Sequence, residues 1–568
     1  MSASTLSRSA SPAPASDRRA GSGRDGSWWR SAVVYQIYPR SFGDGNGDGV
    51  GDIPGMRTRL PYLRALGVDA VWISPWYPSP MIDAGYDVAD YCDIDPVFGT
   101  LADAESFVTD AHAAGIRVII DLVPNHCSSE HAWFRRALSE GPGSPARERF
   151  WFRPGRGENG ELPPNDWQSR FGGPAWTRVQ GADGPGEWYL HLYAPEQPDL
   201  NWEHPDVRAD FEDILRFWFD RGIDGIRIDV ADGLVKEPGL PDGAGFDPTS
   251  GVPWSDRDGV HEIYRSWRRI CDSYGDDRVF IGEMWLPDAE RFALYLRADE
   301  LHTAFNFDFL SCPWDAAAIR TCIERTLSVH APVFAPATWV LSNHDVTRHV
   351  TRFGKVDTSF DFADRRHGMP VDYVLGRRRA RAAVLLTMSL PGSVYVYQGE
   401  ELGLEEVEDL ADELRQDPVW ERSGHADPGR DGCRVPIPWS TAAGGFGFSP
   451  PGTGTNPWLP QPEHWGSLSA ERQAGDPASM LELYRAVIAT RRQLPQLLEV
   501  QLRWLDTADG VLAFSRGDGF VVAVNVSAVP VELPAHDAVL LTSGELHGGL
   551  LPPDTAVWLS TVSETMSS

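Results

Sequence analysis

The chain is almost without lysine: of 51 Lys and Arg residues among 568, only Lys236 and Lys355 are lysines. Acidic residues number 81, for a formal charge of −30. No basic block interrupts that surplus. A nucleic-acid partner requires a clustered positive face to replace phosphate counterions, so nucleic acids are excluded, and the charge describes a soluble acidic surface. Cysteine is scarce as well. Cys92, Cys127, Cys271, Cys312, Cys322 and Cys433 form no C-x-x-C pair, which excludes a disulfide framework or zinc knuckle and predicts reduced thiols. Long apolar runs are missing: AAVLLTMSL (382–390) ends at Pro391-Gly392, far short of the roughly 20 residues that cross a bilayer. Residues 1–27 are rich in Ser, Ala, Pro and Arg but lack the apolar segment of a secretory signal. They read as a disordered tail on a cytoplasmic protein.

What is present is a rhythm. AVVYQIY (32–38) reads as a strand, IPGMRTRLPYLRALG (53–67) as a helix and VDAVWIS (68–74) as a strand. LADAESFVTDAHAAG (101–115) is helical up to its glycine, and IRVIIDLVP (116–124) is a continuous apolar strand of the kind buried on both faces of a parallel sheet. Residues 125–202 break the pattern, being rich in Gly, Pro, Trp and Asn and too long for an ordinary connection. The rhythm then resumes with a helix at 205–222 and strands GIRIDV (225–230), VFIGE (279–283), TAFNFDF (303–309), TWVLSN (338–343) and SVYVYQ (393–398). Eight strands with helical returns predict an α/β fold, a (β/α)8 TIM barrel. The barrel spans 28–124 and 203–496, with an inserted subdomain (125–202) after its third strand. Beyond the helix at 479–494, short alternating strands predict a C-terminal antiparallel β domain at 497–568.

In such a barrel the reactive groups lie at the C-terminal ends of the strands. Those ends are polar here: Asp121, Asn125 and His126 after the third, Arg227 and Asp229 after the fourth, Glu283 after the fifth, His344 and Asp345 after the seventh. Arg227 and Asp229 are two apart and share a strand face. A buried Arg favours an ionised carboxylate, whereas the apolar VFIG before Glu283 favours a protonated one. Carboxylates on adjacent strands, about 5–5.5 Å apart, suit a double displacement at a glycosidic bond. Trp72, Trp76, Tyr77 and Tyr86 offer aromatic faces for sugar rings. In DGNGDGVGD (44–52), Asp44, Asn46, Asp48, the Val50 carbonyl and Asp52 supply oxygens at alternate positions. The intervening glycines permit the tight wrap a hard cation needs, although Gly55 stands where an EF-hand loop carries its bidentate Glu.

The segments DLVPNH (121–126), GIRIDVADG (225–233), IGEMW (281–285) and VLSNHD (340–345) resemble, in order, the four sequence regions of the α-amylase superfamily, glycoside hydrolase family 13. The resemblance covers about 28–568 and implies that Asp229 is the nucleophile, Glu283 the general acid/base and Asp345 the third carboxylate. It further implies that Arg227 orients Asp229 while His126 and His344 hydrogen-bond the sugar. QPDLNW (197–202) is similar to the oligo-1,6-glucosidase and α-glucosidase group. By that likeness Tyr86 stacks on the terminal sugar and Asp83 binds its outermost hydroxyl, with Arg434 from GRDGCRVPIPW (429–439) as the first choice of partner for Asp83 and Arg430 the alternative. The group's acidic loop implies one structural Ca2+ or Mg2+ and no organic cofactor. Val230, directly after the nucleophile, is associated in that group with α-1,6 acceptance. The expectation is a retaining exo-acting α-glucosidase for small α-glucosides; the alternative is an α-glucosyltransferase or trehalose synthase-type isomerase using the same intermediate.

Overall fold

A computed structural model describes residues 27–179, 186–246, 251–275, 277–442, 444–498 and 500–561; apart from Ser27, the predicted tail lies outside them. Eight parallel strands form the core of the molecule: Val33–Ile37, Ala70–Ile73, Arg117–Leu122, Gly225–Ile228, Val279–Gly282, Thr303–Ala304, Thr338–Val340 and Ser393–Tyr397. Seven of the eight neighbour relations are parallel ladders, and the seventh strand continues through the eighth to the first. Between the sixth and seventh strands the described residues show no ladder; there the Thr338 hydroxyl donates to the Ala304 carbonyl. The predicted barrel is therefore present and nearly closed. Its strands are buried along almost their whole length, which is why they read as unbroken apolar runs instead of alternating ones.

Two local expectations change. The segment 53–67 is two helices, Ile53–Thr58 and Leu60–Leu66, parted at Arg59. Pro61 supplies no N–H for a continuing helix, so it begins a new one. TAFNFDF is strand only at Thr303–Ala304: the Asn306 side chain accepts the Phe309 N–H at 3.0 Å and starts the helix Phe307–Ser311. A side-chain cap of that kind outweighs the β propensity of three phenylalanines.

After the third strand, Phe152–Pro154, Trp176–Arg178 and Glu187–Leu190 form a three-stranded antiparallel sheet over a cluster containing Trp151, Trp167 and Trp176. It is fastened to the barrel by a fully buried ion pair, Lys236 Nζ to Asp199 at 2.8 Å. Lys355, the other lysine, is buried against Glu408 at 2.6 Å. At the C-terminal end of the chain, five antiparallel strands form a sheet whose Trp558 donates its indole N–H to Leu385 in the barrel helix Tyr373–Ser389. All six cysteines are free. Among the described residues no helix is long and apolar enough to cross a membrane.

Candidate active site

At the C-terminal mouth of the barrel, a cavity of about 390 Å³ is lined by Asp83, Tyr86, His126, Asp229, Glu283, His344, Asp345 and Arg430, among others. The fold thus gathers side chains from six separate strand ends and loops. Asp229 follows the fourth strand, and Val230 after it has φ +45°. A β-branched residue rarely adopts that left-handed conformation, which costs on the order of 1–3 kcal/mol and clusters at functional sites. Here the turn has two results: the Val230 N–H donates to Glu283 Oε2 at 2.9 Å, and the Ala231 N–H to the Glu283 carbonyl at 2.7 Å.

Arg227 is buried beneath these groups. Its Nη1 bonds Asp121 Oδ1 at 2.7 Å and Asp229 Oδ1 at 2.6 Å, while Nη2 lies 3.8 Å from Glu283 Oε2. Burial raises the pKa values of both Asp229 and Glu283 above the usual carboxylate range; the Glu283 charge adds to the rise at Asp229, and the Asp345 and Asp232 charges add to it at Glu283. The two titrate as a pair. A direct charge-assisted bond is stronger than one to a neutral donor, so Arg227 draws the pair's negative charge to Asp229 and leaves the proton on Glu283. Asp345 behaves differently. Burial opposes its charged form, but His344, Arg430, Arg434 and Arg227 together outweigh that and hold its pKa below the ordinary range. Burial lowers His126 to about 4 and His344 to about 3, so both imidazoles are neutral near pH 7. Tyr86 stacks on His344 with a ring separation of 5.3 Å and its hydroxyl lies 2.6 Å from Nε2.

One end of the cavity is walled. Arg430 Nη2 bonds Asp83 Oδ1 at 2.6 Å, its Nε bonds Asp417 Oδ2 at 2.5 Å and its Nη1 reaches Asp345 Oδ1 at 3.1 Å. Gln197, from QPDLNW, donates to Asp83 Oδ2 at 3.1 Å and lies 3.1 Å from His126 Nε2. The expected pairing of Asp83 with Arg434 is therefore corrected to Arg430. Arg434 instead donates to the His344 carbonyl at 2.9 Å and to Asp345 at 3.2 Å. The two arginines flank the single turn Asp431–Cys433 and both bond Asp345 Oδ1, so spacing alone does not rank them. Of the four aromatics expected at the mouth, only Tyr86 lines the cavity. Trp72 donates to Asp121, Trp76 packs against Trp218, and Tyr77 bonds the Asp121 carbonyl, all of them buried. The aromatic lining comes from Phe171, Tyr193, Trp254, Trp285 and Phe362, residues that no sequence spacing marked, although Trp285 stood in IGEMW.

The acidic loop lies apart from this cavity. Asp44 accepts N–H bonds from Gly47 and Gly49, Asp48 from Val50, and Asp52 from Gly45, Asn46 and Gly55. Gly47 and Gly49, at φ +86° and +93°, allow the wrap. The three carboxylates have no Lys or Arg ion-pair partner among the described residues, and burial with the nearby Asp44 charge raises the pKa of Asp52. These uncompensated carboxylates, joined by Asn46 and the Val50 carbonyl, fit a hard cation in charge and donor type, although Asp52 Oδ1 already accepts two N–H bonds and the three carboxylates do not converge within 4.8 Å of one another.

Comparison with known proteins follows the same lines. A probable alpha-glucosidase of Rhizobium meliloti (strain 1021) is 36% identical over 524 residues, 87% of this chain and 88% of its own. An oligo-1,6-glucosidase of Parageobacillus thermoglucosidasius is 35% identical over 510 residues, 82% and 84% of the two chains. The crystal structure of an alpha-glucosyl transfer enzyme, XgtA, superposes with a TM-score of 0.81 at 36% identity, covering 94% of this chain and 99% of that one. Residues 36–499 match the family described as alpha amylase, catalytic domain. The acid-bearing strand ends, the nearly closed barrel and that match across most of the length agree: the chain belongs to the alpha-amylase family.

Proposed function

We propose that the protein is a retaining exo-acting α-glucosidase, releasing α-D-glucose from the non-reducing ends of short α-glucosides such as maltose, isomaltose and sucrose. The observation that carries this reading is the wall formed by Asp83, Arg430 and Gln197 beside Asp229, Glu283 and Asp345. A cavity closed in that way admits a chain end and one terminal glucose.

In the first step Asp229 forms a bond to the anomeric carbon while Glu283 gives its proton to the departing glycosidic oxygen. In the second, Glu283 takes a proton from water, which displaces Asp229 and restores the α anomer. Arg227 keeps Asp229 ionised before attack. Asp345, charged throughout, accepts hydrogen bonds from ring hydroxyls, and the neutral His126 and His344 add uncharged partners. Asp229→Asn and Glu283→Gln are each expected to lower kcat by about 10²–10⁴-fold, the range of lost acid/base catalysis. Proton NMR of the first glucose released checks the stereochemistry; β-glucose would overturn the double displacement.

A second reading, transfer of glucose to a sugar acceptor or trehalose synthase-type isomerisation, is favoured by Trp254, Trp285 and Phe362 in the same cavity, apolar faces suited to a second ring. Oligosaccharides or a rearranged disaccharide in concentrated maltose would support it over simple hydrolysis. We also propose one structural Ca2+ or Mg2+ held by Asp44, Asn46, Asp48, the Val50 carbonyl and Asp52. Chelation is expected to lower the melting temperature, and added Ca2+ or Mg2+ to restore it; an unchanged melting temperature would overturn the site.

A further inference from the structure

Both oxygens of the Glu283 carboxyl have identified donors. Oε2 accepts the Val230 N–H at 2.9 Å, while Oε1 accepts the indole N–H of Trp285 at 2.9 Å. Trp285 is 38% exposed, yet its ring is held. It stacks face to face on Phe307 at 4.0 Å and 10°, and Phe362 meets it edge-on at 4.8 Å and 71°. Phe307 opens the helix Phe307–Ser311, whereas Phe362 belongs to the loop after the helix His349–Phe353. Three separate segments thus fix the direction of one N–H. The indole also forms part of the wall between the catalytic cavity, which Phe362 lines, and a second one of about 190 Å³, which Phe307 lines.

The charged and titratable groups facing Glu283 are Arg227, Asp229 and Asp232 from the fourth-strand segment, Asp345 from the seventh, and Tyr193 from the insertion. Among the described residues, Trp285 is the donor to Oε1. The backbone N–H on Oε2 is fixed, so the acid proton belongs on Oε1, the oxygen that Trp285 also addresses.

We propose that Trp285 is a positioning residue for Glu283: its N–H fills one lone-pair direction of Oε1, directs the acid proton into the other, and stabilises the charge left when that proton departs. This rests on the reading of Glu283 as the acid/base. The proton passes from Oε1 to the glycosidic oxygen, the electrons of the bond between that oxygen and the anomeric carbon go to the leaving group, and Asp229 bonds the carbon. The negative charge is then on Glu283, against the indole N–H. In the second step the oxygen of water bonds the anomeric carbon while its proton returns to Oε1, and the bond to Asp229 breaks with its electrons going to that carboxylate. An N–H that faces a growing negative charge contributes more in the transition state than before it.

Trp285→Phe in the full chain keeps an aromatic stack and removes the donor. Its kcat/KM is to be measured from pH 4.5 to 9 with maltose and with 4-nitrophenyl α-D-glucoside, whose leaving group needs little protonation. The expected loss is about tenfold for maltose and under about threefold for the nitrophenyl substrate. The basic limb should move up by about 0.5–1 unit, because losing a donor to the ionised form raises the acid's pKa. Incorporating 3-benzothienylalanine at 285, which puts sulfur in place of the N–H within the same ring shape, repeats the test without loss of packing. Equal losses on both substrates with an unmoved basic limb, or no loss, would overturn the proposal. Glu283→Gln separates the two levels: full activity there refutes the acid/base reading itself, whatever Trp285→Phe does.

Discussion

Replacing Arg430 by Met removes the cation that closes the cavity. In the native structure its guanidinium bonds Asp83 at 2.6 Å, Asp417 at 2.5 Å and Asp345 at 3.1 Å; Asp83 and Asp417 are buried and Asp345 is partly buried. Removing one partner from a buried ion pair costs about 3–5 kcal/mol, because the remaining charge is left uncompensated. Asp83 already has a pKa raised by burial, with Arg430 opposing the rise. Without that cation the rise caused by burial is less opposed, so Asp83 takes up a proton more readily and is a poorer acceptor for a terminal hydroxyl. If about 3 kcal/mol of the cost falls on catalysis, kcat/KM for maltose drops by roughly 10²-fold. The remainder appears as a lower melting temperature. Since the defect is easier protonation of Asp83, the acid limb of kcat/KM should move upward and part of the activity should return as the pH is raised. Steady-state assays of Asp83→Asn, Arg430→Met and the double variant give the coupling, expected to exceed about 1.5 kcal/mol for two groups in direct contact. Additive losses, or an Arg430→Met enzyme within threefold of the parent, would refute the closed-end argument. So would a larger loss of chain-end discrimination on replacing Arg434.

Val230→Thr is expected to shift the ratio of isomaltose to maltose turnover toward maltose by about tenfold, a side-chain difference of roughly 1.4 kcal/mol; an unchanged ratio in paired assays removes Val230 from the specificity argument. Glu400, buried and bonded to Tyr484 at 2.6 Å, has its pKa raised to about 8 by burial. A carboxyl raised in the folded state contributes stability that is complete below its unfolded pKa and lost as pH rises through the folded value. Melting temperature should therefore fall between about pH 4.5 and 8.5, and Glu400→Gln should flatten that fall. Parallel curves for parent and variant would contradict it.

Much of the fold was legible because burial on both faces writes itself directly into a strand as an unbroken apolar run, as in RVIIDL (117–122). TAFNFDF misled for the opposite reason: its apolar content persists through a helix start, and what ends the strand is the single Asn306 cap. At the site, the acidic strand ends were visible as polar residues closing apolar runs. The partner of Asp83 was not, since Arg430 and Arg434 sit on either side of one turn and differ only in where that turn aims them. Trp285 and Phe362 lie 77 positions apart and meet only through loop packing, a relation with no period or spacing to betray it.

The two lysines carry a consequence of their own. Lys236 and Lys355 are 1% and 4% exposed, each held by a carboxylate at 2.8 and 2.6 Å. Reagents that acylate or cross-link side-chain amines therefore find no target on the native surface. Modification at 236 reports the insertion parting from the barrel, and modification at 355 reports the release of Glu408, so amine chemistry reads local opening of this enzyme at two defined places.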